Sequence, residues 1–164
     1  MVWGAISFDG RSTLHVYDPG DKVDSKAYQY CMEEALVPAC DHPEYLFPQG
    51  RPTKWIYQQD GAPCHRSKTT RKWIEKNVGK LGASLNDGDG WPAGSPDLNP
   101  IENLWSFMSN AVVEQNPQTF DEFNDILVDV WWYKIPQSYI QSLYKAMPRR
   151  IDAVINADGR MTKY

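Results

Sequence analysis

The sequence predicts a mixed α/β domain whose C-terminal half is helical. Three observations predict this class: two β-rich runs open the chain at residues 2–8 and 11–17, a third lies at residues 54–59, and apolar residues recur at helical spacing from residue 100 onward. Because 164 residues can enclose one hydrophobic core but not comfortably two, we expect a single domain over residues 1–164.

The elements of the first half follow from local signals. Asp9-Gly10 predicts a tight hairpin between the first two runs. An apolar stripe then predicts a helix that Pro38 should stop; its members are Ala27, Tyr28, Cys31, Met32, Ala35 and Leu36. Residues 54–59 indicate a short buried strand that ends at Asp60-Gly-Ala-Pro63, and a basic helix is predicted over 66–78. Residues 79–99 indicate a long loop, and long loops are often functional.

Three helices are predicted after this loop. The first should begin at Pro100 with Asn99 as its N-cap, since proline is favoured at the first helical position. Thr119-Phe-Asp-Glu122 has the capping-box pattern that opens the second helix. The third should cover residues 136–156, with a kink or an interruption at Pro148.

Composition restricts the function. The net charge of -4 argues against a free-standing DNA-binding protein, whose affinity normally depends on neutralising phosphates. No apolar run is long enough to span a membrane, and three cysteines without zinc-site spacing favour an intracellular protein. One segment is locally basic, and either a solvated helix face or a DNA-binding face fits it; the residues considered for DNA contact are His65, Arg66, Lys68, Arg71 and Lys72.

Two carboxylates are placed where they could carry chemistry. Asp60 stands at the C-terminal end of a predicted strand, the edge at which open α/β sheets bind ligands. Glu102 lies in the first turn of the helix that begins at Pro100. If they converged, a divalent cation such as Mg²⁺ or Mn²⁺ would have to lie between them, which suits phosphodiester chemistry. Alternatively, Asp60 caps a turn and Glu102 completes a helix N-terminus.

Three motifs make the sequence resemble the Tc/mariner-type DDE transposases: Trp3-Gly-Ala-Ile-Ser7, Gln58-Gln-Asp-Gly-Ala-Pro-Cys-His65 and Trp91-Pro-Ala-Gly-Ser-Pro-Asp-Leu-Asn-Pro-Ile-Glu-Asn-Leu-Trp105. The closing segments 147–151 and 159–164 are also similar to that family, so the resemblance covers the whole chain.

The resemblance implies an RNase H-like fold and a triad of carboxylates that binds two Mg²⁺ ions for DNA cleavage and strand transfer. By motif match Asp60 is the second carboxylate and Glu102 the third, whereas Asp97 falls outside the triad and is expected to be structural. His65 could contact DNA or the wall of the active site, or could serve packing and hydrogen bonding. DNA, a second copy of the protein and the nucleus are the implied partners and location.

The chain departs from the family pattern in two places. Forty-one residues, 61 to 101, separate Asp60 from Glu102, a wider spacing than is usual, and an insertion within residues 79–90 fits the excess. The family's first carboxylate and first core strand, like its helix-turn-helix DNA-binding region, precede the Trp-Gly-Ala-Ile-Ser strand. We therefore expect an N-terminally truncated catalytic domain that is inactive alone; the alternative is an inactive transposon relic or a domesticated module that binds nucleic acid or protein.

Overall fold

A computed structural model describes residues 1–42, 44–86 and 95–164. The chain divides into two compact units, Met1–Ala93 and Gly94–Tyr164. Residues 87–94 lie outside the described residues; they comprise the last four positions of the predicted insertion, 87–90, and the first four of the third motif, 91–94. No helix in the described ranges is both long enough and apolar enough to cross a bilayer.

The first unit opens with the predicted hairpin. Strand β1 (Val2–Trp3) pairs antiparallel with β2 (His15–Val16), and a further bridge joins Ile6 to Arg11. The position predicted for the turn was wrong by one residue, because the Ser7 amide donates to the Gly10 carbonyl and places Phe8-Asp9 at the tip. Gly10 is needed for a different reason: a Cβ there would lie 1.7 Å from the carbonyl oxygen of Tyr45.

The first helical region is longer than predicted. Helix α1 (Ser25–Cys31) begins at Asp24, whose carboxylate accepts from the amides of Lys26 and Ala27, and it continues through a π-helical turn (Met32–Leu36) into α2 (Val37–Asp41). The prediction that Pro38 stops this helix was wrong. In the π turn the Val37 amide donates to the Met32 carbonyl, so the register of the backbone hydrogen bonds changes just before Pro38. The ring of Pro38 therefore lies against a widened helical turn, and the helix continues past it.

The parallel strand pair leads to the candidate site. Strand β3 (Trp55–Gln58) confirms the predicted third strand, although Ile56 is 69% exposed and the strand is therefore not fully buried. Helices α3 (Pro63–Arg66) and α4 (Lys68–Asn77) replace the single basic helix that was predicted, with Ser67 capping the second. Strand β4 (Ala83–Asn86) pairs in parallel with β3 inside the segment that had been predicted to be a loop.

The core of the first unit joins the hairpin, α1, the π turn, β3 and α4. Tyr28, Met32 and Ile74 are among its fully buried members. Cys31 and Cys40 are buried here too, and burial raises the pKa of the Cys31 thiol to about 11 and that of the Cys40 thiol to about 12. The core thus packs against the inner side of the strand that ends next to Asp60.

The second unit is helical, as predicted. A 3-10 turn (Pro96–Leu98) precedes α5 (Ile101–Gln115), α6 (Phe120–Asp129), a π turn (Val130–Lys134) and α7 (Gln137–Asn156), which runs on through Pro148. The predicted start of α6 is confirmed, since Thr119 accepts from the Glu122 amide as in a capping box. The reciprocal bond is shifted by one residue, because Glu122 accepts from the backbone amide of Gln118 and not from that of Thr119. Trp105 stacks on the buried Trp131 with ring centroids 5.7 Å apart.

Candidate functional site

Asp60 lies two residues beyond the end of β3, as the sequence predicted. Because β4 runs parallel to β3, this is the carboxyl edge of the strand pair. The Asp60 side chain is 55% exposed, so a ligand can reach it. The turn that follows is short, and α3 begins at Pro63.

Two hydrogen bonds fix the Asp60 carboxylate, and both end on Oδ1. The Ala62 amide donates from 3.1 Å, and Nδ1 of His65 lies 2.6 Å away. The hydrogen bond from His65, followed by that from the Ala62 backbone, lowers the pKa of Asp60 although partial burial opposes the shift. Asp60 is therefore ionised at neutral pH, and Nδ1 of His65 is the donor in this pair.

His65 is held by its ring and by its backbone. The side chain is only 18% exposed, and its ring lies on that of Tyr28 with centroids 4.0 Å apart and an angle of 31° between the planes. The His65 carbonyl accepts from Nε2 of Gln59 at 3.2 Å. Of the roles considered for His65, packing and hydrogen bonding are thus present; contact with DNA stays a prediction.

Glu102 lies in the first turn of α5, as predicted, and is half-buried. The helix begins one residue later than expected, with Pro100 at the N-cap position. Asn99 is not the cap; its amide Nδ2 instead lies 3.4 Å from Oε1 of Glu102. Anionic side chains are stabilised at this end of a helix by the unpaired backbone N–H groups.

A buried polar cluster supports the start of α5. Arg150, on α7, donates to the Asp97 carbonyl at 3.0 Å and to Oδ1 of Asn103 at 2.9 Å. The Asp97 carboxylate accepts from both the hydroxyl and the amide of Thr162. Asp97 is 5% exposed, which agrees with the structural role expected for it.

The residues considered for DNA contact differ in accessibility. Arg66 is exposed at the end of α3, Lys68, Lys72 and Lys76 are exposed on α4, and Lys80 is exposed in the 3-10 turn that follows (Gly79–Leu81). Glu75 is the one acidic residue between residues 65 and 80. Arg71 is partly buried and His65 mostly so. The predicted basic surface therefore exists, and its accessible part consists mainly of lysines.

The two predicted carboxylates belong to different units, Asp60 to the first and Glu102 to the second. Within the ranges that the structure describes, no group of three or more His, Cys, Asp and Glu side chains could hold a metal ion. The sequence reasoning missed two residues beside Asp60, Tyr28 and Gln59. Gln59 stood within a quoted motif, but Tyr28 had been noted only as a member of an apolar stripe.

The fold and the two motifs that carry Asp60 and Glu102 are those of one protein family. Residues 1–124 match the family described as DDE superfamily endonuclease, and the chain belongs to that family. It is 39% identical to the transposable element Tc1 transposase of Caenorhabditis elegans and 34% identical to the Tcb2 transposase of Caenorhabditis briggsae, in each case over 100% of this chain and 54% of the relative. The chain thus spans about half the length of these curated relatives.

Solved structures confirm the fold. The catalytic domain of Mos1 mariner transposase superposes with a TM-score of 0.79 at 22% identity, covering 99% of this chain and 75% of that one. The same domain solved with raltegravir and Mn gives a TM-score of 0.79 at 23% identity, covering 99% and 76%. The RNase H-like fold is therefore established, and the comparisons do not favour a relic or a separate binding module.

Proposed function

We propose that this chain supplies Asp60 and Glu102 as two metal-binding carboxylates for divalent-cation-dependent DNA cleavage and strand transfer in transposition. The observation that carries the proposal is the position of Asp60, an exposed and ionised carboxylate at the carboxyl edge of β3 in a chain of this family. Mg²⁺ and Mn²⁺ are the ions of choice, and the related Mos1 catalytic domain has been solved with each of them.

The donor set fits such an ion. Mg²⁺ and Mn²⁺ prefer carboxylate oxygens, and both hydrogen bonds to Asp60 end on Oδ1, which leaves Oδ2 for coordination. Glu102 contributes a second carboxylate from the start of α5. When bound, a pair of such ions stabilises the attacking and leaving oxygens of an in-line displacement at phosphorus. The part of the protein is to fix the carboxylates and to hold the DNA backbone.

The exposed lysines of α4 suit the second task. Lys68, Lys72 and Lys76 are exposed on α4 and would neutralise phosphates of bound DNA, a contribution that should weaken as salt rises. A Mos1 paired-end complex with a transposon end is among the similar structures. We therefore propose transposon DNA as a partner, assembly with a second copy of the protein, and action in the nucleus.

A chimera tests the catalytic assignment. The chain would replace the segment that it matches in the Tc1 transposase, and Mg²⁺-dependent cleavage at Tc1 ends would be measured. We expect cleavage that Asp60→Asn and Glu102→Gln each abolish, whereas Glu114→Gln, which changes an exposed glutamate on the same helix α5, leaves it intact. Full activity in either of the first two variants would refute the assignment.

A second measurement tests the DNA surface. Lys72→Ala should weaken DNA binding and reduce the slope of log K against log salt by roughly one. Lys22→Ala changes an exposed lysine outside α3 and α4 and serves as the control. Equal slopes for the two variants would show that α4 does not face DNA.

A further inference from the structure

The immediate surroundings of Asp60 contain a hydrogen-bonded network of side chains, of which Gln59 lies in the motif that carries Asp60 while Tyr28 comes from a distant helix. Tyr28 is 1% exposed and reaches this region from α1. Its hydroxyl lies 2.8 Å from Oε1 of Gln59 and 3.0 Å from the hydroxyl of Tyr57. Gln59 is itself 7% exposed, so three buried polar groups meet next to the turn that carries Asp60.

The donor and the acceptor in the hydrogen bonds of Gln59 and Tyr28 follow from the chemistry of their partners. The His65 carbonyl can only accept, so the Gln59 amide must present Nε2 to it and Oε1 to Tyr28. The Tyr28 hydroxyl therefore donates its one proton to Gln59 and can only accept at its contact with Tyr57. The Tyr57 hydroxyl has two acceptors within reach, the Tyr28 oxygen at 3.0 Å and Sδ of Met32 at 3.9 Å. A hydrogen-bonded network in which every member is satisfied holds its side chains in one arrangement.

This network ends at the histidine that orients Asp60. Gln59 binds the His65 backbone, and the Tyr28 ring lies against the His65 ring. His65 then presents Nδ1 to Oδ1 of Asp60 at 2.6 Å. Among the described residues both hydrogen bonds to this carboxylate fall on Oδ1, so Oδ2 is the oxygen that remains for a cation.

We propose that Tyr28 and Gln59 are positioning residues that hold His65 as the Nδ1–H tautomer against Asp60, and so select the oxygen that Asp60 offers to a metal ion. The last part rests on the proposed function; the control of the histidine tautomer does not. Partners that orient a metal ligand change metal affinity by about 10- to 100-fold when they are removed.

The tautomer can be read directly in the chain by ¹⁵N NMR of the histidine rings at about pH 8.5, roughly two units above the ordinary imidazole pKa. We expect one tautomer at His65, with the proton on Nδ1. In Tyr28→Phe and in Gln59→Met the ratio of this tautomer to the other should fall about fivefold, the effect of losing one net hydrogen bond. Tyr30→Phe changes a tyrosine on the same helix that is 60% exposed and should leave the ratio unchanged.

Tyr28→Phe keeps the aromatic ring and Gln59→Met keeps the side-chain length, so at least one variant should fold; circular dichroism establishes which. A role in stability alone would lower the melting temperature and leave the tautomer as it is. A mixture of tautomers in the unaltered chain, or an unchanged ratio in a folded Tyr28 or Gln59 variant, would overturn the proposal.

Mn²⁺ titration followed by water-proton relaxation separates this inference from the proposed function. Tyr28→Phe should weaken Mn²⁺ binding about tenfold, and Asp60→Asn should remove it. If Asp60→Asn binds Mn²⁺ as the unaltered chain does, the proposed function and the metal part of this inference both fail. The tautomer measurement still decides whether Tyr28 and Gln59 position His65.

Discussion

Arg150→Leu should destabilise the second unit by removing the donor that holds the turn before α5. Arg150 is 3% exposed and donates to the Asp97 carbonyl and to Asn103. Hydrogen bonds from a charged donor contribute about 1.5–3 kcal/mol each, so the loss of two amounts to roughly 3–6 kcal/mol. Relief of the cost of burying a guanidinium offsets part of this, and a net loss of about 2–4 kcal/mol in the free energy of unfolding is expected.

Arg149 provides a matched control, because it is the neighbouring arginine on α7 and is exposed. Arg149→Leu should change the free energy of unfolding by no more than about 0.5 kcal/mol. Urea unfolding followed by circular dichroism measures the difference, and hydrogen exchange of the amides in residues 97–105 localises it. Equal effects of the two substitutions, or unchanged exchange at the start of α5 in Arg150→Leu, would refute the reasoning.

Three further substitutions or modifications test other parts of the account. Gly10→Ala should lower the free energy of unfolding by about 2 kcal/mol or more, because the added Cβ would overlap the Tyr45 carbonyl. Gly61→Ala should be tolerated, since its Cβ would lie 3.7 Å from the Arg66 side chain. A Gly10→Ala protein as stable as the unaltered chain would contradict this. Thr119→Ala should lower the free energy of unfolding by about 1 kcal/mol through loss of the α6 cap, and Thr119→Ser should restore most of it in the same urea titration. Thiol labelling of the folded chain should modify Cys64 much faster than the two buried cysteines, and equally rapid labelling of all three would show that the core of the first unit is open.

Elements with strong local signals could be predicted from the sequence. β3 has the β-branched and aromatic residues that favour a strand, and the capping box at Thr119 fixes the start of α6. β4 was missed because Ala83-Ser-Leu-Asn86 is short and only weakly apolar, and its partner strand lies some 28 residues away in sequence, Trp55 pairing with Ala83. β4 is a strand because it pairs with β3, and this pairing leaves no signal in the local sequence.

The same distinction applies to the site. The positions of Asp60 and Glu102 follow from local structure, a strand end and a first helical turn. Their supporting contacts are distant in sequence: Tyr28 meets Gln59 across 31 positions, and Arg150 meets the Asp97 carbonyl across 53. A buried tyrosine in an apolar stripe has the same sequence pattern whether or not its hydroxyl is used, so these partners could be found only in the folded chain.

Localised oxidation at a bound metal tests the central claim most directly. Fe²⁺ would be added to the chain with ascorbate and peroxide, and backbone cleavage would be mapped by mass spectrometry. We predict cleavage next to Asp60 and next to Glu102 that excess Mg²⁺ suppresses, with both cleavages lost in Asp60→Asn and in Glu102→Gln and both kept in Glu114→Gln. Cleavage elsewhere in the chain, or undiminished cleavage in Asp60→Asn or in Glu102→Gln, would contradict the assignment of these two carboxylates as metal ligands.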